Sequence, residues 1–445
     1  MNESTRKALI AGAVALLVVI VSVAAGWGLV RGDGSLLRNA NFSADRITPN
    51  ADGVTDALLI EYEIFRNATV SIYFEGPNSE RHYFRREQPR GADEYSVFFS
   101  GVVEGYRPEG EQFQGEILER LLQNGDYTWT IEAVDEDGHV EQVTGPLTIA
   151  EAVTSLPEMR GFDISRDVFT PNRDGIDDRV QIQFDLQKEA NYRVYLVTPE
   201  GLEIPIGELE RDVIVGAPGR HYFDYEGGVD NGETPPPDGV YTIVGYAEDI
   251  TGQKMQVTHQ LELRLGGVPR ADIVAPVTAD QVEFNVTAVP LCETLVFTLT
   301  VENYGTTPIR TSGPAPGAVY DSDWNYNTLG WHTESGVWRI AIGYEDEVKN
   351  YPFRWAVGSV EDLQEIDGHY YLMPGERAVV TGGIRIVGEL GLRNPQPMWA
   401  GLIHEDVEIA QFNNVVDPKS VTIDLPDVGN RQPCPAREIP VREEE

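Results

Sequence analysis

The chain is poor in the residues that most often carry chemistry, with two cysteines and seven histidines in 445 residues, and it has 34 lysines and arginines against 72 acids. Two cysteines cannot build a disulfide framework or a multi-thiolate zinc site. The histidines stand singly, none at the i, i+4 or short-loop spacing of a zinc ligand pair. There is no G-x-S-x-G elbow, phosphate-cradling glycine loop or dinucleotide fingerprint. His332 and Ser335 are neighbours in WHTESG, and Glu345, Asp346 and Glu347 adjoin. Sequence proximity does not make a triad, however, and a run of acids reads as a solvated turn. No enzyme is predicted. The net charge of −38 is spread along the chain and leaves no basic face large enough to track a phosphate backbone, so nucleic acid is not an expected partner.

Long apolar runs are equally scarce. The one that exists is Ala8 to Val30, 23 uncharged residues behind Arg6 and Lys7. As a helix it would rise about 34 Å, enough to cross a bilayer. The expectation is a retained single-pass membrane anchor at residues 8–30, N-terminus inside, with the remainder extracytoplasmic. A signal peptide cleaved before Gly26 is the competing reading, although signal cores are usually shorter.

What the sequence has in quantity is repetition. TPNADGVTD at residues 48–56 recurs as TPNRDGIDD at 170–178, an offset of 122. At the same offset Leu58, Ile60, Tyr62 and Ile64 fall on Val180, Ile182, Phe184 and Leu186, and both sets alternate with polar residues as half-buried strands do. Further on, Gly125, Tyr127, Ala133, Asp135 and Gly138 match Gly239, Tyr241, Ala247, Asp249 and Gly252 at an offset of 114. Repeat 1 therefore carries eight extra residues. They fall in Glu104–Gln123, where Ile117, Leu118, Leu121 and Leu122 predict helical turns inserted into a β-domain.

The run F-x-P-N-x-D-G-x-x-D, a strand pair, then P-D-G-x-Y and A-x-D-x-x-G resembles the Ig-like domain of flagellar hook-capping proteins. The resemblance implies a β-sandwich module used for spacing or assembly. Residues 292–309 and 371–387 resemble CARDB-type Ig-like domains of bacterial surface proteins. The expected fold is all-β: tandem Ig-like antiparallel β-sandwiches behind an N-terminal transmembrane helix. The expected divisions are 1–39 (anchor or signal segment), 40–155 and 156–268 (the two repeats), 269–426 (a third sandwich) and 427–445 (a disordered acidic tail).

Candidate sites follow from residue type. Asn50, Asp52 and Asp56, with Asn172, Asp174 and Asp178, occupy later positions of a calcium-loop pattern, but Thr48 and Thr170 hold its first ligand position and no bidentate glutamate follows. Both copies are expected to be primarily structural turns, with weak calcium binding as the alternative. Cys292 and Cys434 can pair in an exported chain, or remain as two free thiols. Five of the seven tryptophans lie beyond residue 323. Among them Trp324 and Trp331, with Tyr326, lie in a turn-rich stretch and are the rings expected to be exposed, for stacking on a sugar, against a bland reading as core plugs. The expected role is structural, spacing or adhesive at a bacterial cell envelope, with an unidentified envelope protein or glycan as partner. A carbohydrate or peptide receptor, or an accessory of a secretion or appendage machine, is the alternative.

Overall fold

The computed structural model describes residues 35–209, 214–277 and 279–442. The expected anchor at 8–30 lies outside them. Among the described residues there is no α-helix, and no helix long and apolar enough to cross a membrane.

In repeat 1 a sheet of Leu37–Phe42, Leu58–Ile64 and Asp93–Phe99 faces a five-stranded sheet ordered Arg46–Ile47, Val140–Ile149, Gly125–Asp135, Ala68–Glu75, Arg81–Arg90. Alternation is the cause: every second residue of Leu58–Ile64 is buried. Those side chains meet Val70, Ile72, Phe74, Trp129 and Ile131 in one core, with Phe42 stacked on Trp129 at 4.3 Å and Phe74 on Phe99 at 4.4 Å. Each large side chain buried this way contributes about 1.5–3 kcal/mol.

Repeat 2 repeats the plan. Met159–Ile164, Val180–Leu186 and Gly219–Tyr225 form its small sheet, facing Glu203–Ile206, Asn191–Val197, Gly239–Glu248 and Lys254–Leu263. This larger sheet does not stop at its own repeat. Glu116–Leu121 of repeat 1 pairs antiparallel with Lys254–Leu263, and Val102–Glu104 pairs with Glu116–Leu121; with the short strand Val168–Phe169, which pairs parallel with the end of Lys254–Leu263, the sheet has seven strands.

The helical expectation for Glu104–Gln123 is therefore wrong. Apolar residues at 117, 118, 121 and 122 suit a helix face, but they equally suit a strand covered on both sides. An unpaired edge on repeat 2 supplies the backbone partners, and Ile117 packs with Met255 and Leu156 in a small separate core. Gly115 marks the crossing point. It has φ +88°, and a Cβ there would stand 2.2 Å from the Gln256 carbonyl oxygen, so only glycine admits this approach.

The third sandwich packs Ala271–Val274, Val282–Phe284, Thr294–Asn303, Arg377–Arg385 and Val319–Asp321 against an eight-stranded sheet centred on Trp338–Tyr344 and Gln396–His404. Its core holds Trp338, Trp355, Phe297, Tyr320 and Phe353. Trp355 is fully buried, and its indole N–H donates to the Ala318 carbonyl at 3.0 Å.

The C-terminal stretch differs from the disordered tail expected. Residues 427–442 are mostly exposed but run across the third sandwich under several ties. Cys434 is joined to Cys292, Arg431 pairs with Glu389 at 2.7 Å, and the Arg442 amide donates to the Leu329 carbonyl at 3.0 Å.

Candidate functional site

The two copies of the acidic turn are built alike. In copy 1, Asp56 Oδ1 accepts the amides of Asn50 at 3.0 Å and Ala51 at 2.9 Å, and its Oδ2 accepts that of Gly53 at 2.7 Å. Asn50 Oδ1 accepts the Asp52 amide, and Asp52 Oδ1 accepts the Val54 amide. In copy 2, Asp178 Oδ1 accepts the amides of Asn172 and Asp174, and its Oδ2 accepts that of Gly175 at 2.6 Å. Asn172 and Asp174 repeat the roles of Asn50 and Asp52. Positive φ falls at matching places: Ala51, Gly53 and Thr55, then Arg173, Gly175 and Asp177. Each non-glycine residue held there costs about 1–2 kcal/mol, offset by the convergence of amides on one carboxylate. Among the described residues, no group of three or more His, Cys, Asp or Glu side chains has a metal-holding arrangement.

The surroundings of the two turns diverge completely. Copy 1 is largely exposed, with Val54 at 64%. Copy 2 is a plug in the third sandwich, with Asn172 at 1% and Asp174 at 4% exposure. The Tyr371 hydroxyl donates to Asp174 Oδ2 at 2.9 Å, and the His404 Nε2–H donates to the Arg173 carbonyl at 2.8 Å. Gly175 and Gly336 meet face to face: a Cβ on Gly175 would lie 2.1 Å from the Ser335 carbonyl oxygen, and one on Gly336 would lie 2.0 Å from the Asp174 carbonyl carbon.

Burial changes the chemistry of the same residue. At Asp56 desolvation, the largest single influence, is outweighed by the combined amides of Gly53, Asn50, Ala51 and Asp52, which hold the carboxyl below its ordinary range. At Asp178 burial dominates, the Asp174 charge adds to it, and the carboxyl is pushed up to about 6. Asp174 is raised as well, by burial, against bonds from Ile176 and Tyr371. His404 is pushed down to about 4 by burial, so it stays neutral with its proton on Nε2.

Behind the plug lies a buried ionic network. Glu405 Oε1 accepts from Arg339 at 2.9 Å and from Arg354 at 2.6 Å, and Oε2 accepts the Glu334 amide at 2.7 Å. Arg310 bonds Glu334 and the Ser335 carbonyl, bringing the network up to the plug. Nothing in the sequence pointed to Tyr371, His404, Arg310 or Glu405 as partners of the turn: they lie between 132 and 232 residues from the plug's Arg173, Asp174 and Asp178.

The rings expected to be exposed are not free. Tyr326 is 6% exposed and lies beneath the Arg354 guanidinium at 4.1 Å and the Lys349 ammonium at 4.2 Å. Trp324 and Trp331 are partly buried against the core, and the tail sets Arg437 over Trp324 at 5.9 Å and Arg442 over Trp331 at 4.4 Å. These rings carry the bland role, as packing under a strap. The strap is fixed by the Cys292–Cys434 disulfide, with Cα atoms 5.4 Å apart across 142 residues of sequence.

No protein-family model matches the chain, and no curated protein matches it in sequence. Solved structures similar to it include a Ca2+-stabilized adhesin that helps an Antarctic bacterium reach out and bind ice, at 13% identity and TM-score 0.22, covering 88% of this chain and 74% of that one. A 1.5-MDa bacterial ice-binding adhesin matches at 9% identity and TM-score 0.20, covering 74% and 90%. The SGBP-B protein of the Bacteroides ovatus mixed-linkage glucan utilization locus matches at 11% identity and TM-score 0.14, covering 89% and 68%. At these identities and scores none of the three bears on function here.

Proposed function

We propose that this chain is a membrane-tethered, extracytoplasmic stalk of β-sandwiches that spaces and presents its distal domain at a bacterial cell envelope, in a structural or adhesive role. The observation that carries the reading is the seven-stranded sheet built from two repeats. A spacer must hold the angle between its modules, and a flexible linker does not. Here a hydrogen-bonded ladder crosses the first joint, and a buried plug closes the second. Three sandwiches so joined set a fixed distance, whereas independent modules would sweep a volume. The apolar segment 8–30 supplies the tether, and the uniform negative charge keeps such a rod soluble and apart from its neighbours.

Two measurements test the halves of this reading. Membranes washed with carbonate should retain the protein, and intact cells should leave its sandwiches open to added protease; soluble protein starting at Gly26 would remove the tether. Small-angle scattering should give a single narrow distribution of particle dimensions. A broad ensemble of inter-domain distances would remove the rigid spacer.

A further inference from the structure

The acidity of the whole chain conceals one local exception. Strand Arg81–Arg90 reads RHYFRREQPR, four arginines in ten residues, and forms the outer edge of the five-stranded sheet of repeat 1. The strand in the same position of repeat 2, Glu203–Ile206, reads EIPI and has no base. The feature therefore belongs to one copy and not to the shared fold.

The arginines are ordered by rings. The Arg81 guanidinium lies 4.5 Å over Tyr73, Tyr73 pairs across the strands with Tyr83 at 5.5 Å between centroids, and the Arg86 guanidinium lies 4.1 Å over Tyr83. Arg85 lies over Phe84 at 3.9 Å and Arg90 over Tyr95 at 5.0 Å. Stacking fixes planar guanidinium forks before a ligand arrives, which reduces the ordering cost of binding. Arg81 and Arg86 also touch Glu75 and Glu104 at 2.7 Å, with the four side chains 34–55% exposed. Ion pairs so exposed contribute little and exchange readily for another anion. Arg85 and Arg90 bond neutral acceptors, the Phe84 carbonyl and the oxygens of Gln88 and Tyr62.

We propose that this edge is a binding site for a linear anionic polysaccharide, whose carboxylate or sulfate groups are held by the forks of Arg81, Arg85, Arg86 and Arg90. The ring contacts keep the Arg81 and Arg86 guanidinium groups no more than about 14 Å apart, a span of a few sugar units. A single-stranded nucleic acid fits less well, because the rings lie under guanidinium groups and Tyr73 is buried, leaving no free face for a base. The rival explanation is that the arginines, Pro89 and the irregular register near Glu87 only guard an open sheet edge against self-association. The charge of the remaining chain repels a polyanion at long range, but the Debye length is about 8 Å at 0.15 M salt, so the patch acts locally there. This proposal names a partner for the envelope role and rests on that reading for its setting. Binding is measured on purified chain, so its failure is distinct from a failure of the tether.

The test uses the full chain in detergent at about 0.15 M salt, with polygalacturonate, dextran sulfate, neutral dextran and oligo-dT as probes. Binding to either anionic polysaccharide but not to dextran is expected, weakening toward 1 M salt; the polymer preferred tells carboxylate from sulfate recognition. Arg81→Ser with Arg86→Ser should weaken binding about tenfold or more, and Arg81→Lys with Arg86→Lys should fall between. Arg160→Ser with Arg264→Ser, which removes two exposed arginines of repeat 2, should change nothing. Melting curves establish that each variant folds. The proposal is overturned by absence of binding to both anionic polysaccharides, by stronger binding to oligo-dT, or by equal loss in the repeat 2 control. Self-association of Arg81→Ser, Arg86→Ser with affinity unchanged also overturns it, in favour of edge protection.

Discussion

Replacing His404 by glutamine should expose a pH dependence that the plugged joint keeps balanced. Asp178 is pushed up to about 6, above an unfolded value near 3.9. Its contribution is thus full below about pH 4 and is lost as the pH rises through 6. His404 is pushed down to about 4 from an ordinary value near 6.5. Its contribution is full above about 6.5 and is lost as the pH falls toward 4. Each shift spans about 2 to 2.5 pH units, or about 3 kcal/mol at 1.36 kcal/mol per unit, and the two slopes oppose one another between pH 4 and 6. Asp174 adds to the Asp178 side, while Arg310 and Arg173 near the same turn disfavour a charged His404. In His404→Gln the side-chain amide can still donate to the Arg173 carbonyl, but the titration is gone. The assay is urea unfolding of variant and wild type at half-unit steps from pH 4 to 7, following the third sandwich by tryptophan fluorescence. Subtracting the two profiles removes the background of the other acids. The variant's stability relative to wild type should fall by about 3 kcal/mol as the pH rises over this range. The pH-independent loss of the Trp338 stack, at 4.4 Å, only offsets the curve. Parallel profiles would refute the balance.

Three further outcomes are expected. Glu405→Gln leaves Arg339 and Arg354 without their shared buried partner and should cost about 3–5 kcal/mol in the unfolding of the third sandwich; a loss below about 1 kcal/mol would mean the network is open to water. Gly115→Ala forces a Cβ onto the Gln256 carbonyl, so the shared sheet should loosen and protease should cut within residues 104–123, where wild type resists; an unchanged digestion pattern would count against the pairing. Reducing the Cys292–Cys434 bridge should lower third-domain stability by up to about 4–5 kcal/mol for a loop of this length, and should release the tail from Trp331 with a change in fluorescence; two alkylatable thiols in the unreduced chain would refute the bridge.

The sequence made legible what depends on near neighbours. The strands Leu58–Ile64 and Val180–Leu186 could be read because alternation is a property of a few consecutive residues, and the turns because Asn, Asp and Gly bond their own backbone. The hairpin at 102–121 could not be read, because Ile117, Leu118, Leu121 and Leu122 satisfy either period, and the deciding partner, Lys254–Leu263, lies far along the chain. The plug was half legible. Its internal geometry is local, but its burial depends on Tyr371, His404 and Gly336, which no spacing connects to Asp174. Tryptophan content misled for a related reason: an irregular stretch is free or covered according to what else crosses it, and here the crossing segment comes from the far end of the chain.

The strand pairing between repeats also fixes an order of events in biogenesis. A chain emerging N-terminus first presents residues 102–121 long before Lys254–Leu263 has been made. When that later strand arrives, its mate has long been made and can serve as a template. The edge of Lys254–Leu263 that a foreign chain could extend is covered at Lys254–Gln256 by Glu116–Leu121 of the same chain. The insertion in repeat 1 thus covers, within one chain, part of an edge that repeat 2 would otherwise leave open.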